Sequence, residues 1–138
     1  MKKNISSFEK IIGVKFKNQN LLLQSLTHKS NNPLNNNEKL EFLGDRVIGL
    51  VISKKLLNLY PEENEGIIDK KFSNLVNKKT CGEIGRQINL KEYIKIGNSF
   101  KNFKSSNEKI LGDCCEALIG AIYLDQGFSI VEKFILKK

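Results

Sequence analysis

The amino-acid sequence predicts an all-α fold of several helices. Three features carry that prediction. Apolar residues recur on one side of helical repeats, cap-type residues stand at the starts of those repeats, and the breakers Pro33, Pro61 and Gly127 fall between them.

The elements follow in chain order. SSFEKIIG places Ser6 and Glu9 at capping-box spacing ahead of a short apolar turn. NQNLLLQSLTHKS is a second helix, with Asn20 as its predicted cap and Leu22, Leu23 and Leu26 on one side. NNPLNNN, residues 31–37, is a loop, because Pro33 and the asparagines disfavour helix. The longest helix is predicted from about Asn37 to Tyr60, where Pro61 stops it. EENEG is a connector. GIIDKKFSNLVNKKT and CGEIGRQINL are two further helices, broken near Asn77. KEYIKIGNSF has a glycine and mixed polarity and is predicted to be irregular. NEKILGDCCEALIGAIYLDQG is another long, mostly apolar helix that ends at Gly127 as its C′ glycine. SIVEKFILKK forms a last helix. No internal repeat or interdomain linker is visible, so residues 1–138 are expected to form one domain.

Composition narrows the functional class. Lys and Arg number 23 against 15 Asp and Glu, a net charge of +8. Such a balance suits a polyanionic partner, a nucleic acid or an anionic membrane surface, or simple solubility. All of the basic residues except Arg46 and Arg86 are lysines. Lysine is a point charge, so phosphate contact is expected over base reading. The three cysteines are Cys81, Cys114 and Cys115. Their spacing does not fit a zinc site, and free thiols suit a reducing cytoplasm. MKKNISSFEK has no apolar signal core, and no run approaches a membrane span. A soluble, cytoplasmic protein is therefore expected.

The acids carry the chemistry. At 100° per residue, Glu38, Glu41 and Asp45 fall within an arc of roughly 60°. Glu41 and Asp45 are four apart, so they are neighbours on the helix surface, and like charges there are destabilising. Leu40, Leu43, Val47, Leu50 and Val51 mark the same helix as heavily buried. Asp113 and Glu116 repeat the arrangement among Ile110, Leu111, Ala117, Leu118 and Ile119. A solvated face or lysine ion pairs would account for either pair alone. Two pairs on two apolar helices that pack together would converge. A hard divalent cation, Mg²⁺ or Mn²⁺, is the simplest relief of that repulsion. Beside a basic surface, such a site suits phosphodiester hydrolysis without a histidine base or a serine nucleophile.

These residues resemble the ribonuclease III family. NEKLEFLGDRVIGLVIS (37–53) is similar to its signature helix, and EGIIDKKFSNLVNKKT to the following Glu-Gly helix. ILGDCCEALIGAIYLDQG is similar to its second acidic helix, and LTHKS (26–30) matches a further motif. The motifs occur in family order and cover most of the chain. The resemblance implies an all-α endonuclease domain that cuts double-stranded RNA as a homodimer. It leaves staggered ends with 5′-phosphate and 3′-hydroxyl, and processes structured precursors such as ribosomal RNA transcripts. It implies a Mg²⁺ site, with Mn²⁺ as a substitute, formed by Glu41, Asp45, Asp113 and Glu116. Asp45 and Glu116 would lie nearest the hydrolysis. Glu38 and Glu65 match two supporting acids, and Phe42 matches an aromatic that packs into the partner subunit. Lys29, Lys70 and Lys71 are candidate phosphate contacts. His28 is a candidate for RNA contact or for ordering the N-terminal helices. Two departures stand out. Arg46 replaces a small residue, and lysines replace arginines in DKKFSN. The RNA-binding domain that usually follows in bacterial members is not recognisable in these 138 residues. Two other readings stay open: a non-catalytic RNA-binding scaffold of the same fold, and a basic helical interaction protein.

Overall fold

The computed structural model describes residues 4–97 and 108–137. They form seven α-helices: α1 (Ile5–Ile12), α2 (Gln19–Ser25), α3 (Glu38–Leu59), α4 (Glu65–Leu75), α5 (Lys78–Gln87), α6 (Glu108–Gln126) and α7 (Phe128–Leu136). A 3₁₀ turn at Leu90–Glu92 follows α5.

Helix α6 is the axis of the core. Every residue from Ile110 to Ile122 is buried, because α2, α3, α5 and α7 all pack on it. A helix apolar on all sides needs such a sheath. Its neighbour α3 is buried only along Leu40, Gly44, Val47, Ile48, Val51 and Leu56. The opposite side of α3 leaves Phe42, Leu50, Leu57 and Leu59 exposed.

The helix starts differ in detail from the expected caps. Asn4, not Ser6, caps α1 by accepting from the Ser6 amide at 2.6 Å. Glu9 does not close a capping box. It is buried, and its Oε2 accepts from the Phe16 amide at 2.8 Å, across the turn made at Gly13. Asn18, not Asn20, caps α2. Two residues of one cap-forming type stood within reach of each start, and the tertiary path of the chain selected between them.

The break near Asn77 is a true helix start. The Asn77 side chain accepts from the Thr80 amide at 2.8 Å and opens α5, so NKKT leaves α4 and begins the next helix. KEYIKIGNSF is irregular as expected up to Gly97. Its Lys95 pairs with Thr27 in an isolated parallel bridge. Residues 98–100, Asn107 and Lys138, which belong to predicted segments, lie outside the described residues. Gly127 closes α6 with a left-handed φ of 90° and donates to the Tyr123 carbonyl at 2.8 Å.

Candidate metal centre

The site forms where α3 crosses α6. A Cβ on Gly44 would lie 1.7 Å from the Glu116 carbonyl oxygen, and one on Gly120 would lie 2.3 Å from that of Leu40. The two glycines let the backbones touch, so acids on α3 reach acids on α6. Asn37 anchors the start of α3. It is buried, and its Nδ2 donates to the Ser25 carbonyl at 3.1 Å and approaches Cys114 Sγ at 3.2 Å. Asn36 Oδ1 accepts from the Glu38 amide in its place.

The crossing brings together Glu41, Asp113 and Glu116. One carboxylate oxygen from each lies within 4.8 Å of the others. Glu116 is 3% exposed and Asp113 9%, a depth at which unpaired carboxylates are costly. Asp45 stands at the rim. It is exposed, yet close enough to Glu116 to oppose its ionisation. Burial, with Asp45 adding to it, pushes the Glu116 carboxyl up to about 7 from an ordinary 4.5. Burial and the charge of Asp113 also raise Glu41. Asp113 is held low: burial opposes its ionisation, and the ammonium groups of Lys109 and Lys78 outweigh that.

A lysine that the sequence reading did not single out sits among these acids. Lys78 Nζ contacts Glu41 Oε2 at 3.2 Å and forms tight ion pairs with Asp113 Oδ1 and Glu116 Oε1. These contacts hold its ammonium above the ordinary lysine range although burial acts the other way. A Cβ on Gly112 would lie 2.9 Å from the Lys78 carbonyl oxygen, so that glycine admits the start of α5 against α6. Lys109 pairs with Asp113 Oδ2 at 2.8 Å from one turn earlier on α6.

The remaining predicted residues lie around this cluster. Arg46 pairs with Asp45 at 3.4 Å and lies 4.0 Å over the Phe42 ring, so it turns along the surface of α3. Glu38, at the first turn of α3, pairs with Lys29 at 3.5 Å. Glu65 opens α4 and is exposed, and no described contact ties it to the cluster. Lys70 is exposed, and Lys71 lies 4.2 Å over the Tyr60 ring. His28 is buried in the turn before α3. Its Nδ1 accepts from the Ser30 amide at 3.1 Å, and its own amide donates to the Lys95 carbonyl at 2.9 Å. Burial, then Lys29, lowers its pKa, so it orders this turn as a neutral ring. Cys81 Sγ lies 4.0 Å from Glu116 Oε2. Burial pushes the Cys81 and Cys114 thiols up to about 12 and Cys115 well above its ordinary value.

The donor set fits a hard divalent cation. It is all oxygen, and Asp113 Oδ1 is buried and accepts no aligned hydrogen bond, although the Lys78 ammonium touches it. A family profile described as ribonuclease-III-like matches residues 18–138. A ribonuclease 3 of Pelagibacter ubique is 55% identical over 136 residues, 99% of this chain and 61% of that protein. This chain belongs to the ribonuclease III family. A ribonuclease 3 of Wolinella succinogenes is 41% identical over 96% of this chain and 56% of its own length. The chain thus spans about three fifths of the relatives it matches. The nuclease domain of ribonuclease III from Campylobacter jejuni has the same fold. One of its structures matches with a TM-score of 0.91 and 37% identity, covering 97% of this chain and 94% of that one. That structure is described as showing flexibility in a region involved in dimer formation. Among the described residues, no helix is long and apolar enough to cross a membrane.

Proposed function

We propose that this chain is the nuclease domain of a divalent-metal-dependent endoribonuclease that hydrolyses double-stranded RNA. The observation that carries the reading is the convergence of Glu41, Asp113 and Glu116 on one point, in a member of the ribonuclease III family. Those three carboxylates would hold Mg²⁺, or Mn²⁺ in its place, with Asp45 beside them at the open rim. Such an ion supplies a water nucleophile at neutral pH and polarises the scissile phosphate. The chain's own part is positional. Glu116 and Asp113 are fixed on the most buried helix, and Glu41 is pressed against them by the Gly44–Gly120 contact. Asp45 and Arg46 face solvent, where a phosphate backbone would approach.

Duplex RNA offers shape, 2′-hydroxyls and phosphates to a protein, because its major groove is too narrow to read. A lysine-rich surface suits that recognition, with Lys29, Lys70 and Lys71 as contacts and His28 ordering the turn that carries Lys29. The protein acts as a homodimer. Phe42, 63% exposed on α3, together with Leu50 and Leu57, supports an apolar face for the partner subunit. Two sites in one dimer would each cut one strand, leaving staggered ends with 5′-phosphate and 3′-hydroxyl on structured precursors in the cytoplasm, ribosomal RNA transcripts among them.

A second reading, a dimeric RNA-binding scaffold that does not cut, is favoured by one observation: Lys78 fills the point where the acids converge. One assay separates the two. Long duplex RNA is incubated with the protein and Mg²⁺, beside an EDTA control and Glu116→Gln. Cleavage that needs metal and is lost in the variant supports the nuclease. Binding without cleavage supports the scaffold.

A further inference from the structure

The apolar groove between α1 and α7 has no identifiable occupant, the buried thiols are inert, and the exposed face of α3 is the expected dimer surface. Lys78 is different. Its contacts converge on the same three carboxylates that define the cation site, and nothing in the proposed reaction uses it.

We infer that Lys78 is a tethered counter-cation that holds the carboxylate cluster together before metal arrives and leaves when the divalent ion binds. The inference rests on the metal-site reading above. Four observations support it. The ammonium touches Glu41, Asp113 and Glu116, one oxygen each, so it stands where a shared ion would have to stand. Asp113 Oδ1 is buried, and this ammonium is the cation paired with it. The Lys78 side chain is 42% exposed, so it can swing to solvent without repacking the core. Finally, Lys78 opens α5, where the helix dipole disfavours a cation. The acids, not the helix, hold it there.

The charge count gives the direction of exchange. Three carboxylates face the single charge of Lys78, and Lys109 compensates only the outer oxygen of Asp113. A doubly charged ion with oxygen affinity neutralises the cluster better than one ammonium. Lys78 thereby becomes a positioning residue. It keeps the acids gathered without metal, and it weakens metal binding by the fraction of time it occupies their centre.

The test uses Mn²⁺ as the probe, with binding read by electron paramagnetic resonance on the native protein and on Lys78→Met. If the ammonium is in place about nine-tenths of the time, removing it tightens Mn²⁺ binding about tenfold. In EDTA the variant melts at a lower temperature than the native protein, and Mn²⁺ gives it the larger gain. Equal or weaker Mn²⁺ binding by a folded Lys78→Met would overturn the inference. A second arm needs no variant. In the native protein, the ¹⁵Nζ resonance of Lys78, assigned through its side-chain carbons, is visible and slowly exchanging in EDTA and disappears on adding Mg²⁺. Its persistence in protein shown to bind Mg²⁺ would also overturn the inference while leaving the metal site intact. Absence of Mn²⁺ binding by both proteins would overturn the metal-site reading and this inference with it.

Discussion

Gly44→Ala separates tertiary packing from helix propensity, because the two predict opposite signs. Within an isolated helix, replacing glycine by alanine stabilises by about 1 kcal/mol. Here the added Cβ would lie 1.7 Å from the Glu116 carbonyl oxygen and real Cβ atoms essentially never come within 3.0 Å, so α3 and α6 must part by about 1.3 Å. The obstacle is backbone, and no rotamer change relieves it. Overpacking of this kind costs about 1–3 kcal/mol and sometimes more. At a crossing of two long core helices the upper end applies, and the net loss should be about 2 kcal/mol after the propensity gain. For a domain of this size that lowers Tm by roughly 6–8 °C. The same parting moves Glu41 away from Glu116, so Mn²⁺ affinity falls with stability. Thermal unfolding by circular dichroism, with and without Mn²⁺, measures both. A Gly44→Ala protein as stable as the native one or more so would show that α3 and α6 do not meet as closely as described. The placement of Glu41 would then lose its support.

Three further outcomes follow from the same structure. Glu116 holds its proton up to about pH 7 in the folded protein, against an ordinary value of 4.5, so the folded state is the tighter proton binder between them. Metal-free stability should therefore fall as pH rises from 4.5 to about 7, while Mn²⁺ affinity should be about tenfold lower at pH 6 than at pH 8, because the proton competes with the ion. Urea unfolding and metal titration across that range check both slopes. Phe42→Asp places a charge on the exposed apolar face of α3 and should shift the protein from dimer to monomer in analytical ultracentrifugation while its helical circular-dichroism spectrum is kept. Cys81, Cys114 and Cys115 are fully buried with raised pKa values, so iodoacetamide at pH 8 should leave all three unmodified in the native protein and label them in urea.

The helices, and the pairing of acids along one face of each of two helices, were legible in the sequence because both follow from local periodicity. Glu41 shares a face with Asp45, and Asp113 with Glu116, by residue spacing alone. Their different depths were not legible. Spacing treats Glu41 and Asp45 alike, but the crossing at Gly44 and Gly120 presses Glu41 inward and leaves Asp45 beside Arg46 at the rim. Arg46, which fits neither metal nor packing by pattern, resolves as a surface link between Asp45 and Phe42. Glu9 shows the same limit. Its capping-box spacing is local, whereas the Phe16 amide that claims it comes from beyond a turn. Lys78 was the largest omission. In a lysine-rich chain, NKKT looks like solvated surface. Its position is set by Asn77 starting α5 and by Gly112 admitting that start against α6. A lysine directly after a cap residue, at the end of the motif that precedes the second acid pair, was the available signal.

Glu41, Asp113 and Glu116 are proposed to share one divalent ion. Anomalous diffraction from crystals soaked in Mn²⁺ tests it without recourse to activity. The expected map has a peak bonded to one oxygen of each carboxylate, with the Lys78 ammonium withdrawn from the cluster. A map with no peak there, or with the metal held elsewhere while Lys78 keeps its three ion pairs, would contradict it.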